Sequence, residues 1–147
     1  MNLLENRKAR FDYDILQKIE AGLVLSGWEV KSIREKSANL KPAYIHIQDG
    51  EAFIRNFRVS PWKFGNVGTQ DPMREKKLLM HKKELLKLEA QMNEKKIALV
   101  PLRIYLSKGK IKCEVGVGKG RQRFEKRQVL KERSMKREAQ KAIKGLR

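Results

Sequence analysis

The sequence has few of the residues on which disulfide-bonded, metal-binding and catalytic proteins depend. Its one cysteine, Cys113, excludes an internal disulfide and lies on the apolar side of an alternating run, as a small core residue would. His46 and His81 are the only histidines, and neither has a second ligand at metal-binding spacing, so we expect no metal and no cofactor. Walker-type, Gly-x-Ser-x-Gly and His-Glu-x-x-His motifs are absent, and the sequence therefore predicts no enzyme.

Long apolar segments are missing as well. No run approaches the length of a transmembrane helix, and the first ten residues lack the apolar core of a secretory signal. These two absences predict a cytoplasmic protein.

Acidic residues are scarce relative to basic ones. The 147 residues include 17 Asp+Glu and 35 Lys+Arg, which gives a net charge of +18. This imbalance predicts a polyanionic partner, with nucleic acid as the first candidate and an anionic membrane surface as the second. Hydrophobic residues make up 40 % of the chain, enough for the core of one compact domain with an additional tail.

Two β-hairpins are predicted from alternation and turn residues. In the first, Ile45 and Ile47 precede an Asp49-Gly50 turn, and the return strand, 52–59, places Phe53, Phe57 and Val59 on one face. The second joins 97–106 to 110–117 through a turn at 107–109. Its second strand directs four residues inward, namely Ile111, Cys113, Val115 and Val117.

The other segments complete a small mixed fold. Residues 20–34 are interpreted as a strand, a bend at Ser26-Gly27 and a second strand with Glu29 and Lys31 on its polar face. Helical spacing predicts a helix over 82–93 and suggests a shorter one near 37–44, while 64–72 has the composition of a loop. We predict a mainly β fold with peripheral α-helices, an antiparallel oligonucleotide-binding-like barrel.

The C-terminal segment differs from the rest in composition. Residues 119–147 contain twelve Lys/Arg and three Asp/Glu, a net charge of +9, with a thin helical stripe of apolar residues. Dense like charge opposes an isolated helix, so we predict a barrel body over 1–118 and a tail over 119–147 that is disordered when free and helical against a polyanion. A solvated basic extension that only raises nonspecific affinity is the alternative.

Several clusters combine positive charge with apolar or aromatic neighbours, as RNA-binding surfaces do. They involve Arg7 and Lys8 before Phe11, Arg74 and Lys77 near Leu79, Lys110 with Lys112, and Lys119 with Gly120 in a glycine-rich exit from the last strand. Each also has an ordinary explanation, because a charge run is usually a solvated face and an isolated leucine is usually a core residue.

Recurring stretches along the whole chain resemble those of the SsrA-binding proteins, also called small protein B. These stretches are Asn6-Arg7-Lys8-Ala9, residues 20–34, Ala38-Asn39-Leu40, Asp49-Gly50-Glu51-Ala52, Asp71-Pro72-x-Arg74-x-Lys76-Lys77-Leu78-Leu79, Val100-Pro101-Leu102, Gly116-Val117-Gly118-Lys119-Gly120 and Glu125-Lys126-Arg127. The resemblance implies an oligonucleotide-binding-type barrel that binds the tRNA-like domain of transfer-messenger RNA (tmRNA) and delivers it to the A site of stalled ribosomes.

The resemblance also implies roles for individual positions. Glu29, Leu79 and Lys112 correspond to RNA-binding positions, and Gly120 to a functional position between body and tail. We expect Lys112 to contact a phosphate, Leu79 an unstacked base, and Glu29 either a base edge or a neighbouring basic side chain. The ordinary explanation of Glu29 is a stabilising pair with a neighbour such as Lys31. The neighbours Arg7, Lys8, Lys31, Arg74, Lys77 and Lys119 are included in the predicted RNA-binding set.

For the tail, the resemblance implies a place in the empty mRNA channel, near the decoding region of 16S rRNA. The segment Phe124-Glu125-Lys126-Arg127 matches the family's tail motif, which usually begins His-Asp or Tyr-Asp rather than Phe-Glu. Elongation factor Tu with GTP is an expected partner through tmRNA, and no membrane is expected. A ribosomal protein fits the composition equally well, whereas a small nuclease has no site in the sequence to support it.

Overall fold

The computed structural model describes residues 1–64, 68, 70–121 and 123–145. This part of the chain forms nine strands and four helices. In chain order they are β1 (Asn2–Glu5), α1 (Arg7–Asp12), β2 (Tyr13–Leu23), α2 (Gly27–Arg34), β3 (Ala38–Asn39), β4 (Tyr44–Gln48), β5 (Glu51–Arg55), β6 (Arg58–Val59), β7 (Lys76–Leu79), α3 (Lys82–Lys95), β8 (Ala98–Ser107), β9 (Lys110–Gly120) and α4 (Arg123–Gly145).

Seven strands form one antiparallel sheet in the order β1-β8-β9-β2-β7-β5-β4, and β3 pairs separately with β6. The sheet curls until β4 packs against β8. The prediction of a mainly antiparallel β protein with a few helices is therefore confirmed. The barrel itself is not confirmed, because no ladder among the described residues joins β1 to β4 and closes the sheet.

Both predicted hairpins are present, but the first faces the core differently from the prediction. Ala52 and Ile54 are buried, whereas Phe53 is only partly buried. The Asp49-Gly50 turn fixes this register, because it pairs Ala52 with Ile47 and Ile54 with Ile45. Asn56 then adopts a left-handed conformation, with φ of 58°, which interrupts the alternation and returns Phe57 to the core. In β9, Ile111, Cys113, Val115 and Val117 are all buried, as predicted.

The prediction of a second strand within 20–34 is wrong, because residues 27–34 form helix α2. Glu29 lies three residues after the N-cap Ser26, and its carboxylate accepts a hydrogen bond from the Ser26 backbone amide at 2.8 Å. This is the glutamate half of a capping box, which stabilises the first helical turn. The four-residue alternation from Trp28 to Lys31 is too short to outweigh that signal.

The short helix suggested near 37–44 is also wrong. Asn39 pairs with Arg58 in the two-stranded ribbon, and its side chain then accepts a hydrogen bond from the Lys41 amide at 3.1 Å. That local bond makes a turn, and Pro42 has no amide hydrogen with which to continue a helix. The helix predicted over 82–93 is confirmed as α3, which buries Leu85 and Leu88 against the sheet.

No helix in the described part of the chain is long and apolar enough to cross a membrane.

Candidate nucleic-acid interface

Three adjacent strands place Leu79, Gly22 and Lys112 in one row across the outer face of the sheet. Gly22 of β2 is paired with Leu79 of β7 on one side and with Lys112 of β9 on the other. Leu79 is 54 % exposed, which is unusual for a leucine in a sheet with a well-filled core. A Cβ added at Gly22 would lie 3.3 Å from the Cβ of Leu79, so glycine keeps the strip between Leu79 and Lys112 open.

Two open grooves meet at this row, since Gly22, Leu79 and Lys112 line both of them. The first groove, of about 680 Å³, extends toward the β4–β5 turn and the start of α3. The second groove, of about 310 Å³, extends toward α2 and the β8–β9 turn. The row therefore lies at the centre of a continuous concave surface with an apolar strip and a lysine in its middle.

The first groove carries charges of both signs. Lys77, His81, Lys82 and Lys112 line it together with three carboxylates, those of Glu20, Asp49 and Glu51. Lys77 pairs with Glu51 at 3.2 Å, and both side chains are about half exposed, so this pair is weak and can open for another partner. Lys112 forms no ion pair among the described residues, and its ammonium is available to an incoming phosphate.

A buried ionic cluster is centred on Glu29, in the first turn of α2. The Glu29 side chain is 0 % exposed and accepts hydrogen bonds from the Ser26 hydroxyl and from Arg74 Nε and Nη2, while Lys76 Nζ lies 3.6 Å from its second oxygen. Burial by itself would raise the pKa of Glu29, but the hydrogen bonds from Arg74 and Ser26 outweigh it and lower the pKa below its ordinary value. Glu29 is therefore held as a carboxylate.

The two cations of this cluster are held by backbone carbonyls as well. Lys76 is itself 0 % exposed and donates to the carbonyls of Phe57 at 2.9 Å and Arg74 at 2.7 Å. Burial lowers the pKa of Lys76, and the nearby Glu29 carboxylate opposes that shift. Arg74 Nη2 also donates to the carbonyl of Val24 at 3.2 Å. The cluster thereby ties the β2–α2 loop to the residues before β7, and we call it the Glu29 brace.

The brace gives Glu29 and Arg74 a different position from that of Leu79 and Lys112. In this structure Glu29 has no exposed surface with which to touch a base, and it contacts a neighbouring basic side chain instead. That side chain is Arg74, with Lys76 behind it, and not Lys31, which is exposed on α2 and lines neither groove. The roles of these residues toward RNA stay predictions.

Four other residues of the predicted RNA-binding set lie at the opposite end of β2 and β9. Arg7 and Lys8 are exposed on α1, while Lys119 and Gly120 pair with Asp14 and Tyr13. Tyr13 and Gly22 are nine positions apart along β2, a distance of roughly 30 Å at about 3.3 Å per residue. The predicted set is therefore split between two regions, one near each end of the β2–β9 pair.

The tail is a helix in this structure, and its first turns contact α1. The backbone amide of Arg121 donates to the carbonyl of Asp12 at 2.8 Å, and Lys126 Nζ lies 3.1 Å from the Asp12 carboxylate and 5.9 Å from the ring centre of Phe11. Glu125 and Arg127 are exposed, as are Leu130 and Met135 farther along. The Phe124 side chain lies outside the described part. Disorder of the tail in the free protein stays a prediction.

Two basic residues outside the predicted set, Arg34 and Lys110, line the second groove. Lys110 has a sequence signal, because it shares the polar face of β9 with Lys112. For Arg34, a sequence signal exists only if residues 27–34 are recognised as a helix, because Arg34 is then the last residue of α2.

Fold, charge and site together define a class, that of small basic β-sheet proteins that bind nucleic acid. The chain belongs to the SmpB protein family, whose model matches residues 3–145. An SsrA-binding protein of Sulfurihydrogenibium sp. (strain YO3AOP1) is 49 % identical over 140 residues, which cover 95 % of this chain and 92 % of that one. An SsrA-binding protein of Staphylococcus haemolyticus (strain JCSC1435) is 49 % identical over 142 residues, covering 97 % and 91 %.

A solved structure supports the same relationship. The structure described as "tmRNA-SmpB: a journey to the center of the bacterial ribosome" superposes with a TM-score of 0.68 at 37 % sequence identity. The match covers 88 % of this chain and 95 % of the other. Family, fold and sequence thus agree over nearly the full length.

Proposed function

We propose that this protein binds tmRNA and acts with it on the ribosome in trans-translation, the rescue of stalled ribosomes with tagging of their nascent peptides. The observation that carries the proposal is the row of Leu79, Gly22 and Lys112, in which residues distant in sequence meet on one exposed surface. Membership in the SmpB family and relatives that are SsrA-binding proteins support the choice of RNA.

The row suits an RNA with unpaired bases. An unstacked base gains from lying on an apolar side chain such as Leu79, and a phosphate gains from the unpaired ammonium of Lys112. The tRNA-like domain of tmRNA is the part that we assign to this surface. The role that we propose is RNA binding without catalysis, in keeping with the relatives that are SsrA-binding proteins.

The Glu29 brace supports the same surface indirectly. It fixes the carbonyl of Val24, and with it the β2–α2 loop, whose next residue Leu25 lines the second groove. Four of the five N–H groups of Arg74 are used inside the protein, so its guanidinium has little left for a phosphate. We therefore assign Glu29 and Arg74 to positioning the site.

The finer parts of the proposal concern the ribosome. The body delivers tmRNA to the A site, together with elongation factor Tu and GTP bound through the RNA, and this work takes place in the cytoplasm. The tail enters the mRNA channel near the decoding region of 16S rRNA. Lys126 anchors its first turns to Asp12, while the helix beyond Lys131 is exposed over its described side chains and carries mostly positive charge, as a segment surrounded by RNA requires.

A titration of the purified chain with tmRNA tests the proposal, with tRNA and an unrelated hairpin as competitors. We expect preference for tmRNA at physiological salt, and a slope of log K against log salt that is about 0.7–0.9 less steep for Lys112→Gln. The control is Lys87→Gln, since Lys87 is exposed but lines neither groove. Equal binding to all three RNAs would contradict the proposal and favour a ribosomal protein.

A further inference from the structure

The second groove differs from the first in its charges. Three cations line it, those of Arg34, Lys110 and Lys112, and no carboxylate of the described residues does. The first groove, in contrast, is lined by Glu20, Asp49 and Glu51. A phosphate entering the second groove therefore meets three cations and no carboxylate of the described residues.

These three cations are also unpaired. Some basic side chains of the sheet are paired with carboxylates in the described structure, as in Lys77–Glu51 at 3.2 Å and Arg103–Glu114 at 3.0 Å. Arg34, Lys110 and Lys112 form no ion pair among the described residues. Three unneutralised cations around one small groove raise its local potential and attract a polyanion.

The floor of the second groove is apolar. It consists of Leu23, Leu25, Val30, Leu79 and Ile111. Arg34, at the end of α2, and Lys110, at the start of β9, border this floor on two different elements. Gly109 of the β8–β9 turn also lines this groove, and the space beside it is open, because an added Cβ would meet nothing within 4 Å.

We propose that the second groove is a nucleotide subsite that extends the tmRNA interface, with Arg34 and Lys110 as phosphate contacts. One unstacked nucleotide lies on the floor of Leu25, Val30 and Leu79, and its flanking phosphates reach the two cations. The proposal rests on the function proposed above and adds to it a direction, since the RNA strand leaves the central row toward α2 and the β8–β9 turn.

Charge complementarity and continuity select RNA over an acidic peptide as the occupant. An acidic peptide with an apolar anchor would satisfy the same cations. However, Leu79 and Lys112 line both grooves, so a strand that contacts them already stands at the entrance to the second groove. The repeating negative charge of a backbone also matches three cations around one short path.

The test compares Arg34→Gln, Lys110→Gln and the double variant with the matched controls Lys36→Gln and Lys108→Gln. Each control lies two residues from a groove cation, is exposed and lines neither groove. The affinity for tmRNA is measured between 50 and 200 mM salt, and thermal unfolding verifies that each variant is folded. Each groove variant should bind tmRNA more weakly than wild type. At a slope of ~0.7 per contact, the ratio of wild-type to variant affinity should fall by roughly 2.5-fold between 50 and 200 mM salt for a single variant, and by about sevenfold for the double variant.

The outcomes separate this inference from the proposed function. Normal affinity and salt dependence of the double variant, with a clear loss in Lys112→Gln, would overturn the subsite and leave the proposed function intact. No loss in either variant would overturn both. If the double variant binds tmRNA normally but no longer associates with ribosomes, the groove belongs to a different contact and the nucleotide subsite is wrong.

Discussion

Replacing Glu29 with Gln would remove the one negative charge of the Glu29 brace with little change of shape. Glutamine also serves at this position of a capping box, so helix α2 keeps its first turn. What changes is the environment of Lys76, whose ammonium is 0 % exposed and lies 3.6 Å from Glu29 Oε2. The substitution therefore tests the charge of Glu29 separately from its size.

Two independent limits set the loss in the free energy of unfolding that we expect for Glu29→Gln. Removing one partner of a buried ion pair typically costs about 3–5 kcal/mol, because the other charge stays buried without compensation. Lys76 can escape this cost by losing its proton, and at pH 7 deprotonating a lysine with an ordinary pKa of 10.5 costs roughly 5 kcal/mol. We therefore expect a loss of about 3–5 kcal/mol in the free energy of unfolding, a large part of the stability of a domain of this size.

The same reasoning fixes the pH dependence. The pKa of Lys76 is already lowered in the wild type, and without Glu29 it falls further. At a pH where Lys76 is neutral in the folded protein but protonated in the unfolded chain, the free energy of unfolding rises by about 1.4 kcal/mol per pH unit. The variant should therefore recover toward wild type, by up to roughly 2.7 kcal/mol, between pH 7 and pH 9.

Urea unfolding of wild type and Glu29→Gln at pH 7, 8 and 9 measures both effects. Glu51→Gln is the matched control, because the Lys77–Glu51 pair is about half exposed and a pair of that kind contributes about 0–1 kcal/mol. A loss for Glu29→Gln no larger than that of the control would refute the buried brace. A loss that stays constant from pH 7 to pH 9 would refute the role assigned to the Lys76 proton.

Three further expectations concern other parts of the molecule. Gly116→Ala should destabilise the fold by about 1–3 kcal/mol in urea unfolding, because an added Cβ would lie 2.9 Å from side-chain carbons of Leu102; an unchanged midpoint would contradict the close packing. Gly22→Val should weaken tmRNA binding in the titration without unfolding the protein, since the side chain fills the strip beside Leu79; undiminished affinity would place the strip outside the interface. Deletion of 121–147 should leave tmRNA binding nearly intact and abolish peptide tagging in a reconstituted translation assay, whereas loss of binding itself would refute the division into body and tail.

Local sequence patterns predicted the hairpins because every second residue of a half-buried antiparallel strand faces the core and is apolar. The same patterns gave a wrong prediction for α2. Trp28 and Val30 alternate with Glu29 and Lys31 over only four residues, which is too short a segment to distinguish the period of 2 of a strand from the period of 3.6 of a helix. The buried residues of this helix, Glu29, Ser32 and Ile33, follow helical spacing. One of them is a carboxylate, which sequence patterns assign to solvent.

The candidate site was less accessible to local patterns than the fold. The row depends on the register that brings Gly22 between Leu79 and Lys112, and no single segment contains that information. The resemblance to a known family identified Leu79 and Lys112 of this row, but it gave no information about the contacts that position them. The burial of Glu29 depends on Arg74 and Lys76, which lie far along the chain from α2, so it becomes visible only in three dimensions.

The β2–β9 ribbon separates the proposed tmRNA-binding grooves from the tail. Both grooves lie at the end where Gly22 pairs with Lys112, while the tail leaves from the end where Tyr13 pairs with Gly120, roughly 30 Å away. β2 and β9 pair along their length and β8 supports β9, so this separation is nearly rigid. An RNA bound at the grooves therefore fixes where the tail begins. Because Lys126 and Asp12 also hold the first turns of the tail, only the helix beyond them is left to adapt to a second RNA surface.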